Sequence, residues 1–473
     1  MNGGIQNMTY TYSKSKKTSA LLIALLSATL CAGMLTSCTL DPVNPNAVTE
    51  DKALTTRDGI FNLTVGLQRF FAVDVMSAII RTPGTTSREL AVTRTFINLT
   101  DLEAGGQGLS NENTEILVLF QNLSRALEIS NQLIQAAPSV TAIPDSTRNG
   151  ILAIAHLHKA MALSYFIQYF EQVPIETDRR ERAVFAPRAQ VLAAALRSLD
   201  EAEQLFARGN TAQLRASVLS SGINMLNTIR AFRARCHLMA GNFQAAIDAA
   251  NSVDLSVQSR FVYDAVNPQN IMWLNILTLG AGANTAATSY ACRDSLGLPA
   301  QFYEVADSTR RNFFLGATRR APAVGAAVPQ FFHRNHLGFG AVNNAAIPIY
   351  RPIEMILIRA EANVRLGRLA DAVADINRVR QKTGLGNIAF NIGANPTPYT
   401  GAQTERALLD EIYKQRCIEL YLSGLRMEDA RRLGIPGPQP GQPISGTTRT
   451  RNYYPYPRRE RDNNPNTPPD PTI

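Results

Sequence analysis

The segments RAFRARCHLMAGNFQAAIDAANSV, starting at Arg230, and LIRAEANVRLGRLADAVADINRV, starting at Leu357, align without a gap when Gly241 is set on Gly367. Ala234 then falls on Ala360, Ala246 on Ala372, Asn251 on Asn377 and Val253 on Val379. In each copy apolar residues recur three and four apart on both sides of the glycine. That is the pattern of two helices joined at a residue free to take positive φ. The small alanines let the two backbones approach closely, and a pair of this kind buries its apolar face only by stacking on neighbours. Further pairs are expected among residues 112 to 207.

This is the tetratricopeptide arrangement, and the expected fold class is all-α, mainly helical. Apolar periodicity closed by Gly, Pro or Asn predicts helices over 58 to 80, 112 to 136, 147 to 171, 187 to 207, 222 to 240, 243 to 252, 353 to 366, 369 to 382 and 403 to 423. The region from about 254 to 350 breaks the pattern. It holds GAGANTAATS, repeated Gly and Pro, and short apolar runs without sustained period. It reads as a large irregular insertion with short hairpins, and long loops of this kind often carry binding.

The N-terminal end carries an address. Lys14, Lys16 and Lys17 precede the apolar run ALLIALLSATLCAGML, and no acidic residue occurs before Asp41. Charge followed by a short apolar run is the order of a secretory signal, and the run is shorter than the ~20 residues that span a bilayer. Leu35-Thr36-Ser37-Cys38 matches the bacterial lipobox, so residues 1–37 are expected to be removed and Cys38 to be lipidated. Two or three acyl chains hold a protein stably on a membrane where one does not. Residues 38–57, spotted by Pro42 and Pro45, read as a flexible tether, and 58–473 as a single helical domain. The start codon is open between Met1 and Met8.

Removing the signal leaves 436 of 473 residues and brings the formal charge from +9 to +6. Arginine supplies nearly all of the positive charge, and its pairs Arg179-Arg180, Arg319-Arg320 and Arg458-Arg459 are isolated. Nucleic-acid binding wants a basic cluster with interleaved aromatics, and none occurs. Cys236, Cys292 and Cys417 are too far apart for a zinc motif or a disulfide framework. His156 and His158 point to different faces of a helix, and His333 with His336 lacks an evident third ligand, so no metal or cofactor is expected. Gly280-Ala-Gly282 reads as a turn, and neither GxSxG nor HExxH occurs.

Four further stretches carry a resemblance. LSYFIQYFEQVPIET ends an aromatic helix in Glu171-Gln172-Val173-Pro174. IPIYRPIEMILIRAEANVRLG contains Ala360-Glu361-Ala362. EIYKQRCIELYLSGLRMEDARRLG holds Arg416, Glu419, Gly424, Arg426, Asp429 and Arg432, and YYPYPRRERDNNPN closes the chain with Glu460, Asn464 and Pro465. In this order, behind a lipobox, they resemble the SusD/RagB group of surface lipoproteins. The departures are at Glu171-Gln172, where the group has Gly-Asp, and at Ser423, where it has Glu. The resemblance implies an outer-membrane lipoprotein facing the cell exterior. It would act as the lid of a TonB-dependent, SusC-like barrel transporter, capturing an oligosaccharide or peptide and delivering it without catalysis.

Within the motif, Arg416 and Glu419 are three apart and able to pair across one helical turn, with Gly424 ending the helix in a left-handed cap. Glu361, Arg426 and Asp429 belong with them as structural residues. For ligand contact the candidates are the insertion aromatics Tyr263, Trp273 and Tyr290, although WLNIL around the only tryptophan also suits a core. One tryptophan weakens a glycan relative to a peptide, since the resemblance implies sugar binding that leans on aromatic platforms. Two other readings stay open: a lipid-anchored tetratricopeptide-like scaffold for periplasmic proteins, and a secreted hydrolase with unrecognised carboxylates.

Overall fold

The computed structural model describes residues 50–177, 182–276, 289–298, 302, 304, 307–317, 319–320, 332–333, 338–382, 392–440 and 449–473. Cys38, the signal segment, Gly280 to Gly282 and His336 lie outside these residues. The body starts at Glu50 with a short helix α1 (Glu50–Thr55), inside the stretch expected to be tether.

A long helical run follows: α2 (Arg57–Phe70), a π-helical turn Phe71–Val75 and α3 (Met76–Thr86). The sequence predicts one uninterrupted helix here. The wider turn shifts the helical phase, and Phe71, Ala72, Val75 and Met76 all stay buried across it. Strand β1 (Leu90–Val92) and α4 (Ile97–Ala104) lead to α5 (Thr114–Ala136) and α6 (Asp145–Tyr169). The Asn113 side chain caps α5 by accepting from the Glu115 N–H. Helix α6 is apolar and long enough to cross a membrane, but 89% of that stretch is buried inside the protein, as a core helix should be.

The antiparallel pair β2 (Gln172–Pro174) and β3 (Phe185–Pro187) opens α7 (Arg188–Gly209), which packs along α6. Then come α8 (Ala212–Ser217), α9 (Met225–Met239) and α10 (Phe243–Asn251). After the irregular region the layers resume with α13 (Pro352–Arg365) and α14 (Leu369–Arg380), followed by α15 (Glu405–Glu419), α16 (Arg426–Arg432) and α17 (Arg458–Asn463). The stack runs from α5 through α6, α7, α9, α10, α13 and α15, each packed on the next, so the expected further pairs lie in α5 to α7.

The two copies found in the sequence fold alike. Gly241 has φ +77° and Gly367 has φ +74°. The residue after each glycine bonds back to the carbonyl five before it, Asn242 to His237 at 2.9 Å and Arg368 to Asn363 at 2.8 Å. This is a Schellman turn in both cases. Ala234, Ala360, Ala246 and Ala372 are fully buried between the helices.

The irregular region contributes β4 (Ser259–Phe261), α11 (Ile271–Asn275), β5 (Tyr290–Arg293), α12 (Ser308–Phe314), β6 (Arg319–Arg320), β7 (Phe332–His333) and β8 (Ile347–Tyr350). Two antiparallel sheets result, β1-β5-β7-β6 and β4-β8. The first is begun by β1, which lies far upstream of the region expected to be the insertion.

Candidate functional site

The charged motif residues form braces inside the protein. Arg416 bonds Asp429 at 2.8 Å and does not reach Glu419, so the pair expected across one turn is not made. Its partner comes from α16, where Asp429 also holds Arg432 at 2.9 Å. Arg432 in turn forks onto Glu361 of α13 at 2.7 and 2.8 Å, a bidentate pair that locks α13 to α16. Glu428 receives Arg188 at 2.5 Å and Arg431 at 2.6 Å. Burial alone would raise the Glu428 carboxyl, but Arg431, Arg188 and Arg432 outweigh it and hold it down at about 2.

Glu419 is the hub of a second cluster. It is fully buried and faces Arg310 at 3.0 Å, Arg351 at 3.3 Å and the Lys382 ammonium. Burial pushes its carboxyl up, yet Lys382, Arg351 and Arg310 together bring it to about 2. Burial pulls Lys382 down to about 7, with Glu419 opposing and Arg351 adding to the fall. Arg310 belongs to α12 in the irregular region, Arg351 leads into α13 and Lys382 follows α14. One carboxylate on α15 therefore ties three separate segments to the helical frame.

Arg426 does the same for the first sheet. Its guanidinium donates to the Leu296 carbonyl just beyond β5 at 2.6 Å and to the Cys417 carbonyl at 2.8 Å. Gly424 has the expected left-handed backbone, φ +80°, but it does not cap the helix, which ends at Glu419. The helix stops early because the Leu422 N–H turns to the Glu89 carboxylate at 2.8 Å. A Cβ on Gly424 would stand 2.3 Å from Ile79 Cγ2 and 2.7 Å from the Tyr169 hydroxyl, which donates to the Gly424 carbonyl.

The other motif segments close around the same place. Tyr456 exchanges hydrogen bonds with the backbone of Gln172, both 3.0 Å, and Tyr454 bonds Thr86 through its hydroxyl at 2.5 Å. Cys236, Cys292 and Cys417 are buried free thiols, the first two pushed up to about 12 by burial. His156 and His158 are held down at about 4 by burial, so both rings are neutral near pH 7. Among the described residues no three His, Cys, Asp or Glu side chains gather as a metal site would need.

Two of the three aromatics expected to meet ligand are in the core. Tyr263 is 5% exposed and its hydroxyl donates to the Ala72 carbonyl at 2.8 Å, while Tyr290 is 2% exposed within β5. Neither ring offers a face to a ligand. Trp273 is half-buried on α11, its backbone N–H bonded to the Asn270 side chain at 2.9 Å.

The exposed ring lies elsewhere. Phe96 is 55% exposed and Ile97 74%, and among the described residues Phe96 is the only exposed aromatic. They sit in the short link between β1 and α4. Around them Asn98 reaches Glu115 at 3.5 Å, Glu115 faces Arg81 at 3.8 Å, and Arg81 lies over the Tyr290 ring at 6.0 Å. Asn275 of α11 donates to the Ser77 hydroxyl, one helical turn before Arg81, at 2.9 Å. Thr93 bonds the Ser289 carbonyl at 2.9 Å, so the segment entering β5 also arrives here. Sequence reasoning missed Phe96 because it lies outside the stretch that looked irregular; the signal was an apolar pair in the polar run TRTFINLT.

The fold has counterparts in known proteins. A model of the SusD family matches residues 338–470. No curated protein matches the chain in sequence. A SusD superfamily protein from Bacteroides thetaiotaomicron VPI-5482 shares the fold with TM-score 0.67 at 16% identity, over 88% of this chain and 100% of that one. For B. fragilis NanU the values are 0.63 and 15%, over 90% and 99%. A SusD-like carbohydrate binding protein from Bacteroides vulgatus ATCC 8482 gives 0.61 and 14%, over 80% and 83%. The matched segment carries Arg351, Glu361, Glu419, Arg426 and Asp429, the residues that brace the fold. The C-terminal segment thus matches the SusD family, and the described body shares the fold of SusD superfamily structures.

Proposed function

We propose that this protein is a lipid-anchored outer-membrane lipoprotein that captures an oligomeric nutrient at the cell exterior and passes it, unmodified, to a TonB-dependent barrel as its lid. The observation that carries the binding half is the exposed Phe96, in a link whose two ends are held by the pairing of β1 with β5 and by the Val92 N–H bond to the Glu103 carboxylate at 3.1 Å. Capture needs an apolar ring for stacking and nearby groups that both donate and accept, and Asn98, Glu115 and Arg81 supply these beside Phe96. A site on braced backbone loses less ordering entropy on binding.

The ligand class we favour is an oligosaccharide, since one of the proteins sharing the fold is a carbohydrate binding protein. The one exposed ring among the described residues fits a short contact of one or two sugar units. Lipidation of Cys38 and delivery to a barrel rest on the lipobox and on the family. No observation favours the periplasmic scaffold or a hydrolase over this reading.

Titration of the full chain, made soluble by Cys38→Ala, with oligosaccharide and peptide mixtures tests the binding half. Phe96→Ala should weaken the selected ligand about tenfold, the worth of roughly 1–1.5 kcal/mol of stacking. Affinity unchanged by that substitution would remove the Phe96 face from the account.

A further inference from the structure

A groove of about 390 Å³ lies between the C-terminal half of α2, the segment that leaves α8 and the chain just after β4. Its volume is within the ~300–1,000 Å³ range of small-molecule pockets, and it shares no residue with the Phe96 face. One buried side chain sets its shape. Gln68, 4% exposed, donates to the Val218 carbonyl at 2.8 Å and accepts from the Ser220 N–H at 2.9 Å, which pins the segment after α8 to α2. Ala72, Val218, Ile223 and Phe261 are buried at its base, while Val65 and Val262 border it 43% and 48% exposed. Two apolar side chains left in water on either side of a cleft gain by being covered.

The polar groups that reach the groove are mostly donors. Arg69 is exposed and donates to the neutral Asn267 side chain at 3.0 Å, next to Pro268 of the groove wall. It makes no ion pair among the described residues, and its guanidinium can only donate. Ser217, Ser220 and Ser221 also line the groove, each with accessible surface, and among the described residues their hydroxyls bond no protein atom. No carboxylate lines it. Asp264, the acid close to Asn267 in the chain, accepts from the N–H groups of Val266 at 2.6 Å and Asn267 at 3.3 Å. The Gln68 amide is used at both ends. The carbonyls at the end of the short helix α8 bring partial charges only, against the full charge of Arg69.

These features discriminate among ligands. A cation would meet Arg69 with no carboxylate lining the groove to offset it. A sugar would bring hydroxyl donors to a groove without a carboxylate or a free side-chain amide to receive them, and its ring would cover valines better matched by hydrocarbon. A purely apolar molecule would cover the guanidinium and the serine hydroxyls without bonding them. A carboxylate only accepts, matches the fork of one arginine, and leaves the rest of the ligand to the apolar walls. We propose that this groove is a binding site for a small ligand with one carboxylate on a short apolar body, whether an acyl carboxylate or the C-terminal end of an apolar peptide. The inference does not need the Phe96 face to bind.

The test uses the full chain carrying Cys38→Ala. Octanoate, octanamide, the dipeptide N-acetyl-leucyl-valine and its C-terminal amide are titrated and followed by saturation-transfer NMR. At least one acid should bind, about tenfold or more tightly than its own amide, as the loss of one charge-assisted bond requires. The tighter of the two acids identifies the source of the carboxylate. Arg69→Gln should erase the preference for acid over amide while leaving Tm unchanged, since the side chain is exposed. Ser221→Trp, which fills the groove from an exposed position, should abolish binding of the acid. Absence of binding by both acids, equal binding of acid and amide, a preference that survives Arg69→Gln, or acid binding untouched by Ser221→Trp in folded protein overturns the proposal.

Discussion

Glu419 shows how one buried side chain decides the behaviour of distant segments. It has no exposure and answers Arg310, Arg351 and Lys382 at once. Removing one partner of a buried ion pair costs about 3–5 kcal/mol because the remaining charges stay buried without compensation. Glu419→Gln should therefore lower stability by about that much, read from the denaturant midpoint. The pH dependence has a definite sign. The folded-state carboxyl, at about 2, lies below its ordinary value of 4.5, so its contribution is fully present above pH 4.5 and is lost as pH falls toward 2. Thermal scans across that window should slope less steeply for Glu419→Gln than for the parent, and equal slopes would show that the carboxylate is not the titrating group. None of these partnerships was legible in the sequence. Arg310 and Glu419 are 109 residues apart, and the nearer Arg416 offered a local pair that the structure does not make.

The helices were legible because their evidence is local. Apolar spacing predicted 112 to 136 for α5, which spans Thr114–Ala136, and 369 to 382 for α14, which spans Leu369–Arg380. The glycine turns of the two copies were equally readable, since Gly at a left-handed position serves a need of its own neighbours. Gly241 and Gly367 have open space where a Cβ would stand, so alanine there meets only backbone strain, about 1–2 kcal/mol. Gly424→Ala adds collisions with Ile79 and Tyr169 to the same strain and should cost well over 3 kcal/mol. Comparable losses at all three positions, measured by chemical unfolding, would mean that the contact around Gly424 relaxes easily. The irregular elements were not legible in this way. Tyr263 and Tyr290 looked available because they lie among glycines and prolines, but strand pairing of β5 with β1 buries Tyr290, and a bond to the Ala72 carbonyl holds Tyr263 inside.

At the scale of the molecule, a layered helical frame braces an irregular face through side chains that the frame itself supplies. Arg426 holds the segment after β5, and Glu419 holds α12 through Arg310, so parts of the irregular region are fixed by residues of the C-terminal helices. This division suits a lid: a rigid body moves as a unit, and its binding face keeps its shape as it moves. The partner barrel is the part of the account that neither periodicity nor packing can supply, and it is also the most direct to test. The full chain is to be isolated from gently solubilised outer membranes of cells that express it, with Cys38→Ala as the control for the proposed anchoring. The account predicts that a large barrel protein co-purifies in near-equal amount with the parent and is absent from the control. Parent protein recovered from the outer membrane without a barrel would contradict the lid function directly.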